Sequence, residues 1–203
     1  MKVIFLNRND VPDRDRVMGS AKRLFADLGY DQTTSEMIAQ AAGVSSSFVS
    51  TELGGKRQVY EDVFRKIQTR SREWIEPNPE DGGLPARARF HTFLDRLLDY
   101  ILEEPDNAAM WRQRRMGDAA DLRGIEEIYA KPQFDMILDF SRDAFRADVD
   151  LEMMIGTVVW TVDSFFFNGL PHGEGPANPS AATVARFRRH MHALVEPFLA
   201  EST

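Results

Sequence analysis

Residues 33–51 read Thr33-Thr34-Ser35-Glu36-Met37-Ile38-Ala39-Gln40-Ala41-Ala42-Gly43-Val44-Ser45-Ser46-Ser47-Phe48-Val49-Ser50-Thr51. Ile38, Ala41 and Ala42 recur at helical spacing, and Gly43 ends that helix. Ser45 opens a second short one. Alanines let two helices cross closely, a glycine takes up left-handed backbone at a helix end, and a serine caps the next start. Thr33 and Glu36 have the spacing of a capping box for the first helix. The pattern predicts a helix-turn-helix, whose second helix enters the major groove of DNA. Hydroxyls at its start (Ser45, Ser46, Ser47) suit phosphates and base edges. The alternative from the pattern alone is a tight helical hairpin without a DNA role.

Working outward, Val17, Ala21, Leu24, Phe25 and Leu28 form a helical stripe stopped by Gly29, and Leu53-Gly54-Gly55 is a breaker. Val59, Tyr60, Val63, Phe64 and Ile67 mark a further helix, ending before the linker Glu76-Pro77-Asn78-Pro79-Glu80-Asp81-Gly82-Gly83. Phe90, Phe93, Leu94, Leu97, Leu98 and Ile101 predict a long amphipathic helix up to Pro105. Helices are expected around 107–116 and around 122–146, the latter kinked or broken at Pro132. No stretch alternates as a strand does, so the expected fold is all-α, with about nine helices.

Helix 151–168 differs from the others. Leu151, Met154, Ile155, Val158, Val159, Val162, Phe165 and Phe166 line one face, yet Met153, Trp160 and Phe167 lie outside it. A helix apolar over most of its circumference needs cover on more than one side, and a partner subunit is the economical second cover. A last helix carries Val184, Phe187, Met191, Leu194, Val195 and Phe198.

The formal net charge is −7. Its distribution matters more than its sum, because residues 1–70 hold 11 Lys/Arg against 9 Asp/Glu and the remainder holds 14 against 23. Only the N-terminal third offers a polyanion a place to dock. Cysteine is absent, which excludes disulfides, zinc fingers and cysteine nucleophiles. The apolar run Val3-Ile4-Phe5-Leu6 is too short for the core of a secretory signal, and no run reaches membrane-span length. A soluble cytoplasmic protein without a membrane partner is expected.

Residues 14–60 as a set resemble the TetR family of bacterial transcription regulators. The matching stretches are Arg16-Val17, Ala21, Leu24-Phe25, Gly29-Tyr30, Thr33-Thr34, Ile38-Ala39, Ala41-Ala42-Gly43-Val44-Ser45, and Lys56 with Val59 after it. The resemblance implies a homodimeric repressor that binds a double-stranded DNA operator and that a small-molecule effector releases. It also implies an N-terminal DNA-binding domain (1–55) and an effector-binding and dimerisation domain (56–203). Thr34, Ser45, Ser46, Ser47, Phe48, Ser50, Thr51 and Lys56 are then expected to face DNA, with Arg14 and Arg16 neutralising phosphates. Lys56 heads a helix, where the dipole also favours an anion.

The chain departs from the family pattern at Ser50, where a tyrosine is usual, and at Glu52, where a histidine or tyrosine is common. Leu53 replaces an aromatic residue and Met37 a frequent acid. Opposed to a phosphate backbone, Glu52 is expected to weaken binding by about 1 kcal/mol per site. These departures motivate the alternative, a TetR-fold ligand- or partner-binding protein with weak or lost operator binding.

For the effector, Phe90, Phe93, Leu97, Trp111, Met116, Phe134, Met136, Leu138 and Phe140 offer apolar lining, and Arg115 in the run Arg112-Gln113-Arg114-Arg115 offers a cation for a carboxylate. The dimer interface is expected at Met154, Val158, Thr161, Phe165, Phe187, Met191 and Leu194, two helices from each subunit forming a four-helix bundle. His190 and His192 point to different faces of one helix, unlike the spacing that brings two metal ligands together. With no phosphate loop and no nucleophile elbow, neither an enzyme, a cofactor nor a metal is expected.

Overall fold

The stripe Val17, Ala21 and Phe25 is buried along α1 (Asp10–Leu28), while Leu28 at its end is 44% exposed. The structure, a computed structural model, describes residues 10–76, 79–170 and 179–201. The Val3–Leu6 run, Pro77, Asn78 and His172 lie outside the described residues. The helices after α1 are α2 (Ser35–Ala42), α3 (Gly55–Ile75), α4 (Ala86–Glu103), α5 (Pro105–Arg115), α6 (Lys131–Ser141), α7 (Leu151–Asn168) and α8 (Ala181–Val195). Between α2 and α3 lies the short helix Phe48–Glu52, whose wider turn is closed by the Leu53 N–H donating to the Phe48 carbonyl at 3.2 Å. The described residues contain no strand; one isolated antiparallel bridge joins Phe145 to Leu199.

The chain divides into two compact units, Met1–Thr69 with Pro105–Tyr129, and Arg70–Glu104 with Ala130–Thr203. Packing therefore groups α5 and the segment after it with the N-terminal helices, a different division from one drawn by role at residue 55.

In the first unit α1 packs on α2 and on α5. Its centre is a run of rings in which Phe25 meets Tyr60 edge-on at 4.9 Å, Tyr60 meets Phe64 at 5.0 Å, and Phe64 meets Trp111 at 4.8 Å. Such pairs add about 0.5–1.5 kcal/mol beyond the area they bury. Ile38, Ala39, Val49 and Leu53 complete this core from the helix-turn-helix side.

In the second unit α4 packs on α8, on α7 and on the turn Arg142–Ala144, and α6 packs on α7. The helix expected over 122–146 is irregular: a wider helical turn, Glu126–Ala130, runs directly into α6, and a tighter turn, Arg142–Ala144, follows it. Leu122 and Ile125 belong to the core of the first unit, and α6 begins at Lys131 with Pro132 in its first turn. Proline is tolerated there because the first N–H groups of a helix have no intrahelical acceptor. Asp150 caps α7 by accepting from the Met153 N–H at 3.1 Å, and Ser180 caps α8 by accepting from the Thr183 N–H at 3.3 Å.

Candidate nucleic-acid interface and ligand region

The turn between α2 and the short helix is built as its residue types require. Gly43 has φ +66°, its N–H donates to the Gln40 carbonyl, and the Val44 N–H donates to the Ala39 carbonyl at 3.0 Å. These two bonds satisfy carbonyls that the end of α2 leaves open. The N-cap of α2 is Thr34, not Thr33: Thr34 Oγ1 accepts from the Met37 N–H at 3.2 Å. Thr33 is fully buried and its hydroxyl donates to the Gly29 carbonyl at 2.7 Å, tying down the α1–α2 turn. The cap expected at Thr33 is thus one residue later, and with Met37 as the third residue after it the pair with Glu36 does not form a capping box.

Ser45 accepts from the Phe48 N–H at 3.2 Å and starts the short helix. Ser46, Ser47, Ser50 and Thr51 are exposed with Ser45 and Thr34, whereas Phe48 is half-buried against the core. Ser50 donates to the Ser46 carbonyl at 3.0 Å, and Thr51 donates to the Ser47 carbonyl. Their protons are turned into the helix, which leaves their oxygens facing outward as acceptors.

The cations are more committed than their sequence positions imply. Arg14 donates to Asp62 at 2.7 Å, and Asp62, whose side chain is 10% exposed, also accepts from Gln58 and Arg65. Arg16 pairs with Asp13. Lys56 donates to the Tyr30 carbonyl at 2.9 Å and lies 3.9 Å from the centre of the Tyr30 ring. It clamps the head of α3 to the α1–α2 turn and keeps two further N–H groups.

Asp118, which sequence reasoning passed over, completes this clamp. Its carboxylate accepts from the Tyr30 N–H at 2.7 Å and the Asp31 N–H at 2.9 Å. Gly29 has φ +81°, and a Cβ there would lie 2.9 Å from Asp118 Oδ1, so only glycine admits the carboxylate. On either side Gly117 has φ +91° and Ala119 φ +53°, the latter fully buried. A left-handed alanine is unfavourable and persists where its surroundings hold it; here Arg114 donates to the carbonyls of Ala119 and Leu122. Burial, with Asp118 nearby, holds the Tyr60 phenol well above its usual pKa.

The residues expected to line an effector site fall into both units. Trp111 is in the first, half-buried in its ring cluster, as are Arg115 and Met116, both exposed, Met116 by 67%. In the second, Phe90, Phe93 and Leu97 are buried on α4, and Phe134 and Leu138 are half-buried on α6. Phe93 lies 5.9 Å from Phe140 and 5.7 Å from Phe90.

The expected dimer residues all lie in the second unit, on α7 and α8. Val158 and Met191 are fully buried within the single chain, and Phe165 and Phe187, stacked at 3.7 Å, are nearly so. Within the single chain these four are enclosed by their own neighbours. Met154, Thr161 and Leu194 are half-buried. The open side of α7 instead carries Met153 and Trp160, 55% and 57% exposed.

Between α4 and α8, His91 and His192 stack with ring centres 4.6 Å apart. His192 Nε2 lies 2.8 Å from Asp95 and His91 Nε2 lies 3.1 Å from Glu196. His91 Nδ1 is buried without a partner. A proton there would be an N–H with no acceptor, so the neutral ring is favoured. Burial, then His192 and Arg87, lower the His91 pKa. Burial pushes the Asp95 carboxyl up, but hydrogen bonds from Arg188 and His192 outweigh it and hold the group below its ordinary value. Among the described residues no His, Asp and Glu form a group able to hold a metal ion, and no helix is long and apolar enough to cross a membrane.

Residues 17–63 match the family model for bacterial regulatory proteins of the tetR family. Among solved structures, the chain is similar to a ketosteroid transcriptional regulator of Mycobacterium tuberculosis, at 18% identity and TM-score 0.66, over 93% of this chain and 95% of that one. It is also similar to the fatty acid degradation regulator FadR from Bacillus halodurans, at 16% identity and TM-score 0.70, over 91% and 94% of the two chains. A comparison with curated proteins returns no match. The helix-turn-helix lies inside the segment that matches the tetR-family model, and the fold of these solved structures runs through almost the whole chain.

Proposed function

We propose that this chain is a homodimeric, cytoplasmic transcription regulator that represses from an operator and is released from it by a small effector. The observation that carries the reading is the capped helix-turn-helix, which leaves Thr34, Ser45, Ser46, Ser47, Ser50 and Thr51 exposed on one module. Phosphates are met by Thr34 at the head of α2 and by Lys56 at the head of α3, where backbone N–H groups and the helix dipole add to the attraction. Base edges are met by the turn and short helix between Ser45 and Thr51, with Phe48 seating them on the core. By role, residues 1–55 bind DNA and residues 56–203 take the effector and the second subunit. The exposed Met153 and Trp160 support a partner on α7. Effector binding shifts the population toward a subunit arrangement whose recognition helices no longer match major grooves about 34 Å apart.

The test is a binding assay against the DNA flanking the chain's own gene, near physiological salt, with random duplex as competitor. A competitor-resistant complex that weakens on Ser46→Ala and Lys56→Ala supports the reading. Binding no better than to random duplex, there and in a genome-wide selection, favours a second reading, a ligand- or partner-binding protein of the same fold. Two observations favour that second reading: Glu52 is exposed at the end of the short helix, and Arg14 and Arg16 are both paired with acids of the chain itself.

A further inference from the structure

Most arginines of the second unit sit on carboxylates. Arg87 pairs with Glu196, Arg96 with Asp81, Arg142 with Asp139, Arg146 with Asp148, and Arg188 with Asp95 and Asp99. Arg186 and Arg189 are exposed on α8. Arg89 on α4 is different. It is half-buried, and its Nε is closed off from solvent with no hydrogen-bond partner. Its guanidinium carbon lies 5.8 Å from the centre of the Phe140 ring.

Phe140 in turn lies 5.9 Å from Phe93, one helical turn along α4 from Arg89, and Phe93 lies 5.7 Å from Phe90. A permanent cation therefore stands at the end of a run of aromatic rings. Ser141, the residue after Phe140, is fully buried, and its hydroxyl is also without a partner. Buried polar groups are normally satisfied, and a buried N–H on a charged group is the least favourable to leave open.

The chemistry of the missing acceptor follows from the donor. The Nε–Nη edge of a guanidinium presents two parallel N–H groups that match the two oxygens of a carboxylate. Because this Nε is enclosed, an anion that reaches it must leave water, and only one attached to an apolar body gains enough from the neighbouring rings to do so.

We infer that the second unit binds an apolar monocarboxylate, with its carboxylate on the Nε–Nη edge of Arg89 and its chain against the half-buried ring of Phe140. This rests on the effector reading above and names the class of effector. It moves the carboxylate receptor from Arg115, which is exposed in the first unit, to Arg89.

The test is calorimetric titration of the full chain with sodium octanoate, 1-octanol and octylammonium. Octanoate is expected to bind at least about tenfold tighter than octanol, with octylammonium the weakest. Arg89→Met should erase the preference while octanol affinity stays, and Arg89→Lys, which keeps charge without the fork, should restore part of it. A wild-type chain that binds octanoate no better than octanol, or not at all, overturns the inference. So does a preference that survives Arg89→Met. If Arg89→Met does not fold by circular dichroism, the wild-type ranking and Arg89→Lys still decide. Adding octanoate to the operator complex separates the two readings: Arg89-dependent binding that leaves the complex intact keeps the site and removes the effector role. Release by a neutral compound, with no octanoate preference, does the reverse.

Discussion

The two compact units bury their apolar residues in different ways. In the first, α2 ends at its glycine turn, its apolar residues Ile38, Ala39 and Ala42 all go inside, and rings from α1, α3 and α5 close over them. In the second, α7 buries Ile155, Val158, Val162 and Phe165 and still leaves Met153 and Trp160 more than half exposed. Its α4 holds an arginine and a histidine with unpartnered buried nitrogens. The difference is one of place: the first unit's apolar residues that are more than half exposed, Met116 and Ile128, follow α5, and its Tyr60 hydroxyl is also buried without a partner, whereas the second unit's lie together on the outer side of α7.

Breaking the core of the first unit should have the largest effect. Phe25 is fully buried between Tyr30 and Tyr60, and Phe25→Ala should destabilise the chain by about 3–5 kcal/mol in urea denaturation. Loss near zero would mean that the ring cluster contributes little and that the comparison fails at its first term.

Trp160 tests the other side of the comparison. Its ring covers Gly156, where an added Cβ would meet it at 3.3 Å, and the rest of it faces outward. Trp160→Ala should weaken self-association by at least about tenfold in analytical ultracentrifugation while hardly changing the unfolding midpoint of the dilute chain. An unchanged association constant would place the partner face elsewhere.

A smaller effect separates the two threonines at the start of α2. Thr34→Ala removes the cap and should cost about 0.5–2 kcal/mol in thermal unfolding. Thr33→Ser keeps the bond to Gly29 and should cost less. The reverse order would restore Thr33 as the cap.

The smallest effect is on pH dependence. The folded chain holds a proton on His91 less well than the unfolded chain does, because burial, His192 and Arg87 lower its pKa. The unfolded state then takes up that proton first as acid is added. Stability from this group is full above the ordinary histidine value of about 6.5, falls as pH drops through it, and levels off below the folded pKa. His91→Gln should flatten this part of a plot of melting temperature against pH. A slope equal to that of wild type would assign the dependence to other groups.

How much could be read beforehand depended on the range of the interactions. The all-helical class, the α1–α2 and α2–short-helix turns, and the caps at Ser45 and Gly43 rest on contacts within about five residues, and composition and spacing carry that information. The family resemblance lay in the same local stretch. The cap at Thr34 escaped because adjacent threonines are equivalent in sequence, and burial of Thr33 under α1 decides between them.

Other features came from distant residues. Asp118 reaches the Tyr30 and Asp31 amides across 88 and 87 positions, and nothing in an isolated aspartate announces that. Helical periodicity shows that Val158, Phe165 and Met191 are apolar but not whether their cover is the same chain or another. Only the packing of α7 on its neighbours showed them enclosed and turned Met153 and Trp160 outward. Arg89 stands out for a similar reason. Its neighbours in sequence are ordinary, and its unpaired Nε exists only because α6 brings Phe140, and no carboxylate, to its side. Local chemistry determined which helices form and where they stop; tertiary packing decided which of their polar and apolar groups were left unsatisfied, because satisfaction depends on what the rest of the chain brings within reach.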